Sequence, residues 1–319
     1  MMRAPASSLP PILLFALLAP VPTASALTVS GTLGPQYGPP LAVQTSQSDV
    51  SFLGGLGGVG DPAALSYQSA NTELDAAYGY VSGGVLYLFF SGSLFAELQL
   101  EGGISHVLPL DVFIDCGSGG QHQLLGSNPT IVPTFFDLAA LAGLTFDAGF
   151  APGYWLGFGQ DPGAGPYRLG AYYAQLPASG GGPGTYLGST AAGPPGTLSG
   201  GTNPYGIEVT LDDSNKLGLG HGCAPAAPVG VTTGIEWAIP LAAIGNPAGC
   251  IRVCAFVASQ DHSMVSNQVM GPLPPGTCSM TPAASTDFSI VPGDQFFTIC
   301  TAPTPAHRGS WGSLKTHYR

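Results

Sequence analysis

Charge is what this sequence has least of. Only 8% of its 319 residues are Asp, Glu, Lys or Arg, and just seven of these are basic. All eighteen acidic residues lie between Asp49 and Asp294, where Arg168, Lys216 and Arg252 are the only basic side chains, so that stretch carries about −15. A body of that sign repels nucleic acid and anionic lipid, which sets nucleic-acid partners aside and makes cations the natural small partners. Long hydrophobic runs are also missing. Beyond the N-terminal leader no segment approaches the roughly 20 apolar residues that a spanning helix takes, so the processed chain is expected to be soluble and not membrane-spanning. No G-x-S-x-G elbow and no H-E-x-x-H helix motif occurs. The six histidines, His106, His122, His221, His262, His307 and His317, are scattered without metal-ligand spacing.

What is abundant is glycine (48) and proline (31), about a quarter of the chain, between recurrent apolar runs such as "VLYLFF" and "LDVFID". Short apolar runs separated by turn residues predict an all-β protein with a packed core. Arg3, the apolar stretch Ile12–Pro20 and the small residues Ala24–Ala26 read as an export signal cleaved after Ala26. The expected organisation is a signal over 1–26, one large β-sandwich over 27–300 with short helical turns, and a polar, basic, disordered tail over 301–319. Residues 177–204, dominated by Gly, Ser, Thr and Pro, read as a long surface excursion within that domain. The expected location is secreted, extracellular or at the cell surface.

Six cysteines in an exported chain favour disulfides over free thiols, with fifteen connectivities open. Zinc is the competing use, but Cys250 and Cys254 lack a second close Cys or His pair. If "GCIRVCAF" and "DQFFTIC" are antiparallel neighbours, Cys250 meets Cys300, leaving Cys254–Cys278 and Cys116–Cys223 as the remaining pairs.

Strand periodicity gives the faces. In "VLYLFF" both Val85, Tyr87, Phe89 and Leu86, Leu88, Phe90 are apolar, which predicts a central strand covered on both sides. "LPLDVFID" puts Leu110, Val112 and Ile114 on one face and Asp111, Phe113 and Asp115 on the other, a half-buried strand with its acidic edge outward. "FFDLAALAGL" (Phe135 to Leu144) is the best short helix, ended by Gly143. In "GIEWAIPLAAIG", Ile235, Trp237 and Ile239 share the core face, Glu236 and Ala238 point away, Pro240 ends the strand, and "LAAIG" makes one helical turn.

That strand with Glu, then Ile-Pro, then a small amphipathic turn, resembles the late strand of carbohydrate-binding modules of family 9 and of the related DOMON-like sandwiches. "LDAAYGYVSGGVLYLFFSGSL" followed by "LPLDVFID" is similar to the early strands of the same modules. The likeness covers Leu74 to Asp115 and Gly234 to Ala258, about a quarter of the processed chain, and the whole is closer to secreted bacterial proteins of unknown function. It implies a jelly-roll-like or DOMON-like sandwich and a non-catalytic module for extracellular glycan or a cell-surface component.

Candidate sites are few. "GLGGVG" (Gly55 to Gly60) matches a dinucleotide loop, but Asp61-Pro62 follows and no βα alternation supports it, which leaves a flexible glycine loop. Asp111 and Asp115, with Glu208 and Glu236 on other strands, are the carboxylates a glycoside hydrolase would need, although two positions four apart on one strand stand about 13 Å apart. Asp212, Asp213 and Asn215 in "TLDDSN" suit either an Asx-turn or a weak calcium site, with no cofactor otherwise required. Trp155, opposite Tyr154, Leu156 and Phe158 in "GYWLGFG", is either a platform for a sugar ring or a residue capped by a loop. Three functions follow: a non-catalytic glycan-binding module first, a self-associating structural protein of matrix or envelope second, a hydrolase third.

Overall fold

The computed structural model describes residues 29–47, 67–68, 72–98, 105–117, 119–132, 136–161, 168–215, 225, 230–259 and 261–300. The leader, the Gly55–Gly60 loop, Cys223 and the tail after Cys300 lie outside the described residues. Strands β1 (Ala42–Val43), β2 (Tyr67–Gln68), β3 (Thr72–Ser82), β4 (Val85–Leu98) and β5 (Ser105–Val107) come first. Then follow β6 (Leu110–Asp115), β7 (Thr130–Val132), β8 (Phe136–Asp137), β9 (Tyr154–Gln160), β10 (Arg168–Gln175), β11 (Gly184–Ala191) and β12 (Ser199–Gly200). The last are β13 (Glu208–Leu211), β14 (Gly234–Pro240), β15 (Cys250–Ala258), β16 (Met264–Val269), β17 (Ser279–Pro282) and β18 (Phe297–Cys300).

Their pairings build an antiparallel β-sandwich. A seven-stranded sheet runs β1-β3-β4-β14-β13, with β2 and β5 also on β4. A nine-stranded sheet runs β12-β11-β10-β9-β6-β15-β16-β17, with β18 also on β15. Alternation decides what lies between them. Leu86, Leu88 and Phe90 of β4 and Ile235, Trp237 and Ile239 of β14 meet Leu110, Val112, Ile114, Leu156, Phe158, Val253 and Ala255 of the other sheet in one buried core. Trp237 and Phe158 touch edge to face, 5.7 Å between centroids. Burying side chains of that size is worth roughly 1.5–3 kcal/mol each. As the alternation in "VLYLFF" predicts, Tyr87 and Phe89 enter a separate cluster on the outside of the seven-stranded sheet.

Three expectations need correction. The outward face of β6 is covered, not solvated: all six of its residues are buried. Phe113 there joins Phe146, Phe150, Trp155, Phe256 and Phe288 in a second core on the outside of the nine-stranded sheet. The helix expected over Phe135 to Leu144 is a single 3-10 turn, Leu138–Leu141, capped by the Asp137 carboxylate on the Ala139 N–H. Residues 177–204 are not a plain excursion, since β11 within them pairs along β10 from Arg168↔Ala191 to Ala174↔Gly184. The turn "LAAI", Leu241–Ile244, forms where expected.

The cysteines divide. Cys250 and Cys300 stand directly opposite in the β15/β18 register and form a disulfide. The other two expected pairs do not form. Cys254 is a free thiol buried in the second core, and Cys116 is a free thiol packed against the inner one, whereas the exposed Cys278 is disulfide-bonded. Alternation along β15 explains the failure of Cys254–Cys278, because Cys254 turns inward beneath the cover. Burial, with the neighbouring Asp115, pushes the Cys116 thiol up to about 12, so it is not a thiolate at neutral pH.

Candidate functional site

The outer face of the seven-stranded sheet is built by one hairpin. Gly83 and Gly84, at φ 58° and 79°, supply the two left-handed positions of a tight turn between β3 and β4. That turn fixes the register Tyr80↔Tyr87 and Tyr78↔Phe89. Strand β14 continues it with Ala238↔Tyr87 and Glu236↔Phe89, and β13 with Glu208↔Ala238 and Thr210↔Glu236. Two rows therefore cross the face, Tyr80–Tyr87–Ala238–Glu208 and Tyr78–Phe89–Glu236–Thr210.

Tyr80 and Tyr87 stack at 4.9 Å with their planes 14° apart. Tyr37, from the 3-10 turn Pro35–Tyr37, stands edge-on to Tyr80 at 4.9 Å and packs on Phe89 at 5.7 Å. The Tyr37 hydroxyl donates to Glu236 Oε1 at 2.8 Å, while Glu236 Oε2 accepts from the Ser30 N–H at 2.6 Å, the Ser30 hydroxyl at 3.1 Å and the Gly31 N–H at 3.0 Å. The buried Glu236 thus ties residues 30–37 onto the sheet. Burial, then the Glu236 charge, pushes the Tyr37 hydroxyl far above its usual range, which keeps it a donor. Tyr78 and Tyr80 are only half-buried. Glu208, also half-buried, has no hydrogen-bond or ionic partner among the described residues, and desolvation raises its carboxyl above the ordinary glutamate range.

The opposite outer face is sealed. Trp155 is fully buried, so it is not a platform for sugar: its indole N–H donates to Asp111 Oδ1 at 2.7 Å beneath the second core. His262 Nε2 lies 3.1 Å from the same oxygen, and both His262 and Asp111 are 0% exposed. Gly157, opposite Asp111 in the β6/β9 register, makes room for this arrangement, since a Cβ there would collide with the Trp155 ring and meet Phe136 at 3.0 Å. His262 sits at φ 59° in the β15–β16 turn. Asp261 holds that turn by accepting from Ser259 Oγ (2.7 Å), Ser263 N (3.1 Å) and Ser263 Oγ (2.8 Å). Burial would raise the Asp261 carboxyl, but those hydrogen bonds win and hold it below its usual range. His262 Nδ1 and Asp111 Oδ2 are buried without hydrogen-bond partners among the described residues. An aspartate–histidine pair with no exposed surface serves as a pin between sheet and cover.

No protein-family model matches this chain. No curated protein and no solved structure matches it either.

The remaining sequence candidates fall apart spatially. Asp111 and Asp115 lie on the sealed face, where Asp115 pairs with Arg252 at 2.8 Å and accepts from the Gly117 and Ala151 N–H groups at 2.6 and 2.8 Å. Glu208 and Glu236 lie on the opposite outside. Those two are diagonal neighbours, about 7–8 Å apart at the backbone, but the oxygens of Glu236 are committed to the donors of residues 30–37. Asp212, Asp213 and Asn215 share one turn after β13, in which Asp212 Oδ1 accepts from the Ser214 N–H at 2.9 Å as an Asx-turn and the Asn215 N–H reaches Thr233 Oγ1 at 3.3 Å. No group of three His, Cys, Asp or Glu suited to a metal occurs among the described residues. None of their helices is long and apolar enough to cross a membrane.

Sequence reasoning passed over Tyr37 and His262. His262 left no signal, being one polar residue in a turn. The tyrosine row was written in the alternation of "YGYVSGGVLYLF", where Tyr78 and Tyr80 share a face with Tyr87 and Phe89 once the glycine pair sets the turn.

Proposed function

We propose that the chain is an exported, non-catalytic binding module that takes an extracellular saccharide on the tyrosine face of its seven-stranded sheet. The observation that carries this reading is the outward tyrosine row, in which Tyr78 and Tyr80 are still partly open, Tyr80 is backed by the buried Tyr87 ring, and Glu208 ends the row. A pyranose presents an apolar face that packs on flat rings and a rim of hydroxyls that a carboxylate accepts. A rigid sheet supports both groups, so little ordering entropy is lost on binding. The strand pattern shared with family 9 carbohydrate-binding modules supports the same reading, and the Cys250–Cys300 disulfide suits an oxidising compartment.

The test is a glycan array with pull-down on insoluble polysaccharides, comparing the folded chain with Tyr80→Ala. Retention that disappears in the variant, with both proteins melting cooperatively, is the expected result. Indifference to every glycan, or retention unchanged in Tyr80→Ala, would overturn the reading.

A further inference from the structure

We infer that the open edge of β3, Tyr78 to Ser82, pairs with the same edge of a second copy of this chain, so that one antiparallel sheet runs through both molecules. Backbone groups without partners carry it, independently of the saccharide reading. The two-residue turn makes Ser82↔Val85 a hydrogen-bonded pair, and alternation makes Tyr80↔Tyr87 and Tyr78↔Phe89 the next ones. The odd residues of β3 therefore turn their N–H and C=O groups to the other side. At Ala77 that side is occupied: β1 lies alongside, and the Ala77 carbonyl accepts from the Leu41 N–H at 2.8 Å. The cover ends there, because Pro39 and Pro40 have no N–H to carry the ladder farther. Among the described residues no hydrogen bond reaches the Gly79 or Val81 backbone from the edge side.

The opposite end of the same sheet is guarded. Along β13 the Gly193 N–H donates to the Leu211 carbonyl at 2.8 Å, the Val209 N–H to the Gly196 carbonyl at 3.3 Å, and the Thr210 hydroxyl to the Gly193 carbonyl at 2.6 Å. Tyr78 to Ser82 has none of the usual protections of an edge. It contains no proline and no charge, and the bulge of β3 lies farther back, between Leu74 and Ala76. The segment is also held in place, since Ile299 of the other sheet packs against Gly79 where a Cβ would collide with it.

Symmetry selects a second copy as the occupant. With a two-fold axis at Tyr80, Gly79 of each copy faces Val81 of the other, and every free N–H of these residues meets a free carbonyl. An axis at Gly79 would set Val81 against Ala77, whose carbonyl is taken. An axis at Val81 would set Gly79 against Gly83, which lies in the turn at φ 58°. With the axis at Tyr80, that residue and its counterpart form a non-hydrogen-bonded pair with Cα atoms about 4.5 Å apart. The outward tyrosine rows of the two copies then run end to end. The contact is uncharged, although residues 49–294 carry about −15. Five residues a side fall well short of the roughly 800 Å² per partner of a stable interface, so the pair is weak and depends on concentration.

Sedimentation equilibrium of the folded chain from about 1 μM to about 1 mM should show the mass rising from monomer toward dimer. Val81→Pro removes an edge N–H that the single molecule does not use, so it should melt cooperatively and associate about tenfold or more weakly. Under mild oxidation Tyr80→Cys should form a disulfide between copies, because Cβ atoms at the axis stand about 5 Å apart. Tyr78→Cys should not, since its two copies would be more than about 13 Å apart. A chain that stays monomeric throughout, association unchanged in Val81→Pro, or cross-linking with no preference for Tyr80→Cys over Tyr78→Cys would overturn the pairing. Should Val81→Pro fail to fold, the two cysteine variants decide it alone.

Discussion

The two outer faces of the sandwich start from the same kind of sequence and end differently. Strands β4 and β14 on one side, and β6 and β9 on the other, each turn aromatic and acidic residues outward. On the nine-stranded sheet, residues of 119–132, 136–150 and 283–296 close over the outside as a second core, and every polar group caught beneath it must find a partner or go without. On the seven-stranded sheet, among the described residues, it is 29–38 that cross the face, held by Glu236 and by backbone hydrogen bonds to Thr232 and Gly234. A sealed face contributes stability and leaves no surface for a ligand; a thinly covered one keeps half-buried tyrosines available. Of the two readings of Trp155, ligand platform or residue capped by a loop, its full burial leaves the capped one, and the proposed saccharide site moves to the tyrosines.

The comparison breaks first at Trp155. Trp155→Ala removes the largest side chain of the sealed face and leaves the oxygens of Asp111 with His262 as their one remaining partner among the described residues. A loss of about 3–5 kcal/mol is expected in denaturant unfolding. A loss below about 1 kcal/mol would mean that the second core does not carry the stability assigned to it.

Next comes the tie on the open face. Glu236→Ala strips the acceptor from Tyr37, Ser30 and Gly31, and about 1–3 kcal/mol should go with it. The more telling readout is local. Amide exchange over residues 29–38 should accelerate far more than exchange in β9 or β10, because Glu236 anchors donors of Ser30, Gly31 and Tyr37 in this segment. Uniform acceleration across the molecule would show that the two faces do not unfold separately.

Asp75 sharpens the contrast between partnered and unpartnered acids. Asp111 Oδ1 meets Trp155 Nε1 and His262 Nε2, whereas no side-chain hydrogen bond reaches Asp75, at the β3 bulge, among the described residues, and burial pushes its carboxyl up to about 6 from 3.8. An acid with a raised native pKa binds protons more tightly folded than unfolded. Stability at this site therefore falls as pH climbs from about 4 to 6, and the full penalty remains above that. Asp75→Asn should gain about 1–2 kcal/mol at pH 7 and flatten the dependence between pH 4 and 6, as read by melting at several pH values. An unchanged slope would mean the carboxylate is satisfied.

Much of the framework was legible because period-two alternation is local. Tyr87 and Phe89 against Leu86, Leu88 and Phe90, or Trp237 between Ile235 and Ile239, declare their faces without knowledge of any partner. Cys250–Cys300 followed from pairing the two strands that carry them. The sealed face was not legible, because its cover is made of segments with no periodicity and its acids look like surface residues. What meets Asp111 Oδ1 is the Trp155 indole, 44 positions away, and His262, 151 positions away. The pairing of Cys254 failed likewise, since alternation sends it beneath a cover that the sequence did not announce.

The smallest stability effect should accompany the largest functional one. Tyr80→Leu keeps apolar volume at the strand position but removes the flat ring that stacks on Tyr87 at 4.9 Å. Tyr80 is half-buried, and an aromatic pair is worth about 0.5–1.5 kcal/mol beyond its area, so the expected loss of stability is about 1 kcal/mol. Saccharide binding, in contrast, should drop below detection, because a branched aliphatic side chain offers no plane for a pyranose. Tyr172→Leu is the matched change on the sealed face, where the ring stacks on Phe136 at 3.8 Å and is fully buried. It should cost more stability, about 2–3 kcal/mol, and leave binding by the surviving folded protein untouched. If the two substitutions cost the same in unfolding and both leave binding intact, the division of the molecule into a stabilising face and a recognising face is wrong.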